Sequence, residues 1–345
     1  MVEQGTHKPL AGGSNPPSAT SPPDPVARLA IAVARGTDAL QLPGDSSFVL
    51  AVSGGPDSTA LLHGAAWLVA DGARAWSLTV AHLDHQLRED SASDAARVGE
   101  MAATLGLPCR MSRTDVAALA RAEGRSLEDA GRQARYRFLE EVAGEIDAEA
   151  LIATAHTADD LAETILLRIV RGSGLRGLRG IPARRGRIVR PLLAERRAVL
   201  RDALDRAGIS YLLDPTNADP SHAERNRIRA EVLPALERIN PRVVEALLRL
   251  STNAAADDDV LEALAGAELT RRRSADGIDW REPPHRAIGR RVLRLASGDP
   301  APSAERIEAL LDAAEGPRGG LTVELGGGRE ASVRERRIVI VERGE

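Results

Sequence analysis

At 345 residues the chain has room for two domains, and 43% hydrophobic with 28% charged residues is the composition of a protein that buries a core in water. The net charge of −4 excludes a uniformly basic protein, and no apolar run approaches the roughly 18 residues of a membrane span. The single cysteine, Cys109, excludes an internal disulfide, a zinc knuckle and a paired-thiol sulfur relay, and points to the cytoplasm.

Residues 1–24 are rich in Pro, Gly and Ser without the apolar stretch of a secretory signal, and read as a disordered tail. Val26 to Leu40 reads as a helix, Phe48 to Val52 as a strand and Thr59 to Val69 as a helix. Trp76 to Leu83 follows as a strand, Ser91 to Leu105 as a helix and Cys109 to Met111 as a short strand. Ser126-Leu127-Glu128-Asp129 resembles a capping box that opens a helix running to Val142. Ala150 to Ala155 is a strand and Ala158 to Val170 a helix. Strands alternating with helices in this way imply an α/β fold, a doubly wound parallel sheet spanning residues 25–217. Residues 218–345 read as a second, mainly helical domain. Its helices are expected over Glu224 to Leu250, Asn253 to Arg272, Arg286 to Ala296 and Ala304 to Glu315, with a short terminal β-hairpin about a Gly-rich turn.

The first strand runs into Ser53-Gly54-Gly55-Pro56-Asp57-Ser58 and a helix. Two glycines bring backbone N–H groups close to a phosphate, the helix N-terminus adds positive potential, and the two hydroxyls can donate. Asp57 can hold a metal or fix the loop. An ordinary βα turn would account for these residues singly but not for the set directly after a buried strand. Lys8 is the only lysine, so the folded part has no Walker A lysine. His82 and Asp84 share a face at the end of the second strand, where ligands bind in open α/β folds. Arg132 and Arg135 share a helix face in Gly131-Arg132-Gln133-Ala134-Arg135-Tyr136.

At the next strand-to-helix junction His156, Asp160 and Glu163 are spaced to face one way, which suits magnesium on phosphates or proton transfer; acids offsetting a helix dipole explain Asp159 and Asp160 but not His156. From Arg168 to Arg190 there are eight arginines, five glycines and no acid, a local reversal of sign whose natural partner is nucleic-acid phosphate.

The hexapeptide SGGPDS resembles the PP-loop of the ATP pyrophosphatases. Taken in order, that loop, HLDHQLR, GRQARY, TAHTADDLAET, RGSG, RPLL, DPTN and RNRIR resemble the tRNA(Ile)-lysidine synthetases over residues 46–240. The resemblance implies that ATP adenylates the C2 oxygen of the wobble cytidine, position 34, in a CAU-anticodon isoleucine tRNA. Free L-lysine then displaces AMP to form lysidine. It implies ATP as co-substrate with Mg2+ on Asp57 and Asp160, and ATP contacts from Ser53, Gly54, Gly55, Pro56, Asp57, Ser58, His82 and Asp84. His156, Asp160, Glu163 and Arg135 fall on the family's catalytic positions, and Arg132, Arg171, Arg176, Arg179, Arg225 and Arg227 on the tRNA side. The oligomeric state stays open, a homodimer included. Two departures stand out: Gln86 where the family often has glycine after the second histidine, and Leu213-Asp214-Pro215-Thr216-Asn217 in place of its usual acidic segment. Rival readings are a thiolating PP-loop tRNA enzyme, which a lone cysteine disfavours, a small-molecule amide synthetase, which has no use for the arginine run, and a non-catalytic RNA-binding protein.

Overall fold

The computed structural model describes residues 24–87, 90–213, 224–316 and 320–342. By its contacts the chain divides into two units, Met1–Thr164 with Ile181–Val244, and Ile165–Gly180 with Glu245–Glu345.

The first unit opens with α1 (Pro25–Ala39), β1 (Ser47–Ala51), α2 (Pro56–Ala70), β2 (Ser77–Asp84), α3 (Ser91–Thr104) and β3 (Cys109–Arg113). It continues through α4 (Val116–Glu123), α5 (Leu127–Ile146), β4 (Leu151–Ala153) and α6 (Ala158–Val170), whose far end belongs to the second unit together with the short α7 (Leu175–Leu178). The strands β5 (Arg184–Arg185) and β6 (Ile188–Val189) and the helix α8 (Arg197–Arg206) follow. After the undescribed residues 214–223 come α9 (Glu224–Arg227), a π-helical turn at Ile228–Val232 and α10 (Leu233–Ile239).

The sheet order is β3-β2-β1-β4-β6-β5, parallel throughout except for the β5–β6 edge. Alternation along β1 explains why helices cover both faces. Phe48 and Leu50 join a cluster with Leu29 and Val33 of α1, Leu61 and Leu62 of α2, and Leu200 and Leu204 of α8. Val49 joins Leu139 and Val142 of α5 on the opposite face. Each such fully buried side chain stabilises the unit by about 1.5–3 kcal/mol relative to exposure. The expected doubly wound parallel sheet is what forms.

This order places the site. The chain moves outward from β1 to β2 and β3, then returns to add β4 on the other side of β1. The loops leaving β1 and β4 therefore diverge to opposite faces and open a crevice at the strands' C-terminal ends. The loop 53–58 leaves β1 and the segment 154–157 leaves β4.

The second unit contains α11 (Val243–Arg272), β7 (Arg273–Ser274), β8 (Gly277–Asp279), α12 (Arg286–Ser297), α13 (Ala304–Glu315), β9 (Thr322–Gly326), β10 (Arg329–Arg334) and β11 (Arg337–Glu342). Trp280, Val292, Leu293, Ile307, Leu310, Leu311, Leu325, Val333 and Ile338 form its core. The terminal hairpin is part of a five-stranded antiparallel sheet, β7-β8-β11-β10-β9. The unit boundary also lies later than residue 218. Residues 224–244 group with the first unit, because Arg225 and Arg229 are ion-paired to Glu163. The helix expected from Glu224 to Leu250 breaks before Pro241, and α11 then runs unbroken across the gap expected near residues 251–252.

Candidate active site

The loop after β1 is built by its own side chains. Ser58 Oγ donates to the Gly55 carbonyl at 3.0 Å and accepts from Ser53 N at 3.2 Å, while Thr59 Oγ1 donates to the Gly54 carbonyl at 3.1 Å. The Ser53 and Ser58 hydroxyls lie 3.1 Å apart. Gly54 has φ +84°, and a Cβ there would lie 2.4 Å from Leu212 Cδ1, so the fold itself requires glycine. Gly55 is the opposite case. Its backbone is extended, and a Cβ would meet only Ser53 Oγ, at an ordinary 3.6 Å. No packing demands Gly55; glycine is itself a favoured N-cap, and its bare backbone leaves room for a ligand to come close. It caps α2 with no side-chain hydrogen bond, and Pro56 follows as the first helical residue, an open helix N-terminus suited to an anion.

His82, buried at the end of β2, donates from Nδ1 to the Val52 carbonyl at 2.8 Å and so braces the strand that carries the loop. Asp84 Oδ1 accepts from Gln86 N at 2.8 Å. Gln86 has φ +52°, the left-handed region that glycine adopts without cost, which gives a physical reason for the glycine often found there.

Across the crevice, Asp160 and Thr157 cap α6 reciprocally. Asp160 Oδ2 accepts from Thr157 N and Oγ1, both at 2.8 Å, and Asp160 N reaches Thr157 Oγ1 at 3.4 Å. The other oxygen, Oδ1, accepts from Arg197 at 2.9 Å and Arg225 at 3.2 Å. Burial pushes the Asp160 carboxyl up, but Arg197, Arg225 and the Thr157 N–H outweigh it and hold it below its ordinary range. Glu163, with no exposed surface, accepts from Arg197 at 3.2 Å, from Arg225 at 2.8 Å and from Arg229 at 2.7 and 2.9 Å. Asp159 accepts from Arg196 Nε at 3.2 Å and from Arg197 N at 2.7 Å.

Arg197 is the hinge of this network. Its Nε also donates to Asp57 Oδ2 at 3.0 Å, joining the loop after β1 to the acids of α6. Asp57 Oδ1 is buried without a partner, and burial together with nearby Asp160 raises the Asp57 carboxyl despite Arg197. Among the described residues no group of three or more His, Cys, Asp or Glu is arranged to hold a metal ion. Asp57 Oδ1 fits Mg2+ as one protein ligand beside phosphate oxygens, the usual way this ion is bound.

His156 Nδ1 lies 3.0 Å from Thr154 Oγ1. Burial, with the guanidiniums of Arg190, Arg135 and Arg225, lowers its pKa to about 4 against the opposing pull of Asp160, so it is neutral at pH 7. Arg132 and Arg135 lie over the Tyr136 ring at 5.1 and 5.5 Å from its centroid.

The expected tRNA-facing residues divide. Arg176 and Arg227 are exposed, as is Arg171. Arg179 is tied within the second unit to buried Asp258 and to Asp259, each at 2.8 Å. Arg225 faces Glu163 and Asp160. Arg168 is likewise turned inward, onto the carbonyls of Gly177 and Gly180. The segment Asp214 to Asn217, like residues 1–23, lies outside the described residues.

Arg196, Arg197 and Arg229 belong to the site without having been assigned there. Arg196 and Arg197 begin α8 with no acid in its first turn. Two cations at a helix N-terminus oppose the macrodipole, a sequence signal that acids must approach from elsewhere.

Residues 27–236 match the PP-loop domain family. That match and the loop geometry define an ATP-using PP-loop protein. The chain is 44% identical over 230 residues to the tRNA(Ile)-lysidine synthase of Thermus thermophilus, covering 67% of this chain but 43% of that protein. It is 38% identical over 331 residues to the tRNA(Ile)-lysidine synthase of Thermobifida fusca, covering 93% and 99%. The chain belongs to the tRNA(Ile)-lysidine synthase family. It spans less than half the length of the Thermus relative. Among solved structures, the U34-tRNA thiolase NcsA from Methanococcus maripaludis shares the fold, with a TM-score of 0.54 at 14% identity over 66% of this chain and 79% of that one.

Proposed function

We propose that the protein ligates free L-lysine to C2 of the wobble cytidine of a CAU-anticodon isoleucine tRNA, at the cost of ATP cleaved to AMP and pyrophosphate. The observation that carries the reading is the Arg197 clasp. It holds the loop after β1 and the acids of α6 together at the sheet's switch point, so that nucleotide and reacting base meet in one crevice.

The backbone N–H groups at the start of α2 and the hydroxyls of Ser53 and Ser58 receive the ATP phosphates. Bound Mg2+ supplies charge neutralisation on those phosphates, with Asp57 Oδ1 as its protein ligand and Asp160 beside it. In the first step the cytidine C2 oxygen bonds to the α-phosphorus and pyrophosphate leaves. In the second the lysine ε-amine bonds to C2, the C2–O bond breaks, and AMP departs with that oxygen. Neutral His156 is the group positioned to take the amine's proton. Glu163, enclosed by three guanidiniums, orients Arg225 and Arg229 and does not itself move a proton. Arg135 faces the reacting groups, and Arg132, Arg171, Arg176 and Arg227 supply cations for tRNA phosphates. A tRNA and ATP as substrates would place this work in the cytoplasm. Among the described residues no helix is long and apolar enough to cross a membrane.

Pyrophosphate release measured with and without the isoleucine tRNA transcript tests the reading. Release that requires the transcript is expected. Release with a small amine substrate alone would favour an amide synthetase, and no release at all a binding protein.

A further inference from the structure

A neutral histidine can take a proton only at the ring nitrogen that lacks one, and the hydrogen bond made by the other nitrogen decides which that is. Among the described residues the His156 ring has one hydrogen-bond partner, the Thr154 hydroxyl, 3.0 Å from Nδ1. Asp160 is the acid whose charge bears on the ring, yet both its oxygens are engaged elsewhere. Oδ2 accepts from the N–H and hydroxyl of Thr157, and Oδ1 from Arg197 and Arg225. The other charges bearing on the ring belong to Arg190, Arg135 and Arg225, and a guanidinium has no acceptor to offer an N–H. Thr154 is itself firmly held. It follows directly on β4, its N–H donates to the Val189 carbonyl of β6 at 3.0 Å, and it is 6% exposed. Its branched Cβ restricts χ1, so the hydroxyl keeps its place.

We propose that Thr154 is the positioning residue that fixes the His156 tautomer, its hydroxyl oxygen accepting from Nδ1–H so that the Nε2 lone pair is left to receive the proton of the attacking amine. The inference rests on the lysine-ligating reading above. In the transfer step the ε-amine nitrogen bonds to C2 and its proton passes to Nε2. The C2–O bond breaks, and AMP leaves with that oxygen and the bond's electron pair. His156 becomes an imidazolium whose Nδ1–H keeps the same acceptor, because a hydroxyl oxygen accepts equally from the neutral and the charged ring. The ring therefore need not reorient as the proton moves. The first step makes no such demand. The C2 oxygen of cytidine is a carbonyl and carries no proton to lose, so Thr154 bears on the second step.

Two-dimensional 1H–15N NMR of protein labelled in its histidines distinguishes a protonated ring nitrogen from a bare one, and His156→Gln identifies the signals of this ring. A proton on Nδ1 and a bare Nε2 are expected. A proton on Nε2 would overturn the proposal, since Thr154 would then be donating to Nδ1. Thr154→Val keeps the shape and removes the hydroxyl. It is expected to lower kcat for lysine transfer about tenfold, with the KM for ATP and single-turnover pyrophosphate release, which reports the first step, as in the wild type. Thr154→Ser restores the hydroxyl and should recover most of the rate. Undiminished transfer by Thr154→Val would also overturn the proposal, as would pyrophosphate release slowed to the same degree, because the side chain would then be supporting the site as a whole. If the wild type transfers no lysine, the functional reading fails, and the NMR spectrum still decides the tautomer by itself.

Discussion

Glu163→Ala separates a residue that organises the site from one that performs chemistry. Glu163 is fully buried and takes four hydrogen bonds from Arg197, Arg225 and Arg229. Each charge-assisted bond is worth about 1.5–3 kcal/mol, but the four cannot add, because the arginines share one acceptor. The three guanidiniums also keep Asp160 and are 21–32% exposed, so water recovers part of their solvation. Removing one partner of a buried pair sets the scale at about 3–5 kcal/mol. For a unit of this size that lowers the melting temperature by roughly 6–20 °C. Glu163→Gln keeps the shape and one acceptor oxygen, and should fall between the variant and the wild type. Differential scanning calorimetry reads both, with lysine incorporation measured well below the transition. An Ala variant that melts within a degree of the wild type yet transfers no lysine would show instead that Glu163 acts on the substrate.

The two loop glycines should part company. Gly54→Ala is expected to destabilise the protein, by positive φ and collision with Leu212, whereas Gly55→Ala should melt normally and bind ATP at least tenfold more weakly; normal ATP binding by folded Gly55→Ala would contradict the phosphate role. His156 should stay neutral down to a pKa of about 4, seen as its ring resonance in NMR. Its folded pKa lies below the ordinary 6.5, so its contribution to stability is present above pH 6.5 and fades as the pH falls toward about 4. A midpoint near 6.5 would show that the ring is solvated. Arg176→Ala should reduce the salt slope of tRNA binding by about one and leave stability unchanged. Arg179→Ala, which strips one partner from buried Asp258, should cost about 1–3 kcal/mol of stability; the reverse pattern in unfolding and binding titrations would exchange their roles.

The α/β order was legible because β1 and β2 are apolar on both faces and the helices between them begin at clear signals. Ser126 caps α5 as its spacing suggests, its hydroxyl accepting from Asp129 N at 3.1 Å. What stayed hidden is long-range charge pairing. Arg197 lies 140 residues from Asp57 and Arg229 lies 66 from Glu163, and no local pattern announces either. The arginine run reads as one phosphate-facing surface in sequence, yet Arg168, Arg179 and Arg190 turn inward onto carbonyls or an acid. A guanidinium serves both purposes equally well, so composition cannot separate them. The five-stranded terminal sheet was only half visible, because β7 and β8 are two and three residues long and carry no alternation to read.

The most direct measurement is incorporation of labelled lysine into a CAU-anticodon isoleucine tRNA transcript with ATP and Mg2+, beside a transcript carrying U at the wobble position. Label on the cytidine transcript alone, with one AMP formed per lysine, is the predicted result. Label on both transcripts, or AMP formation without any transfer of lysine, would exclude cytidine-specific ligation of lysine.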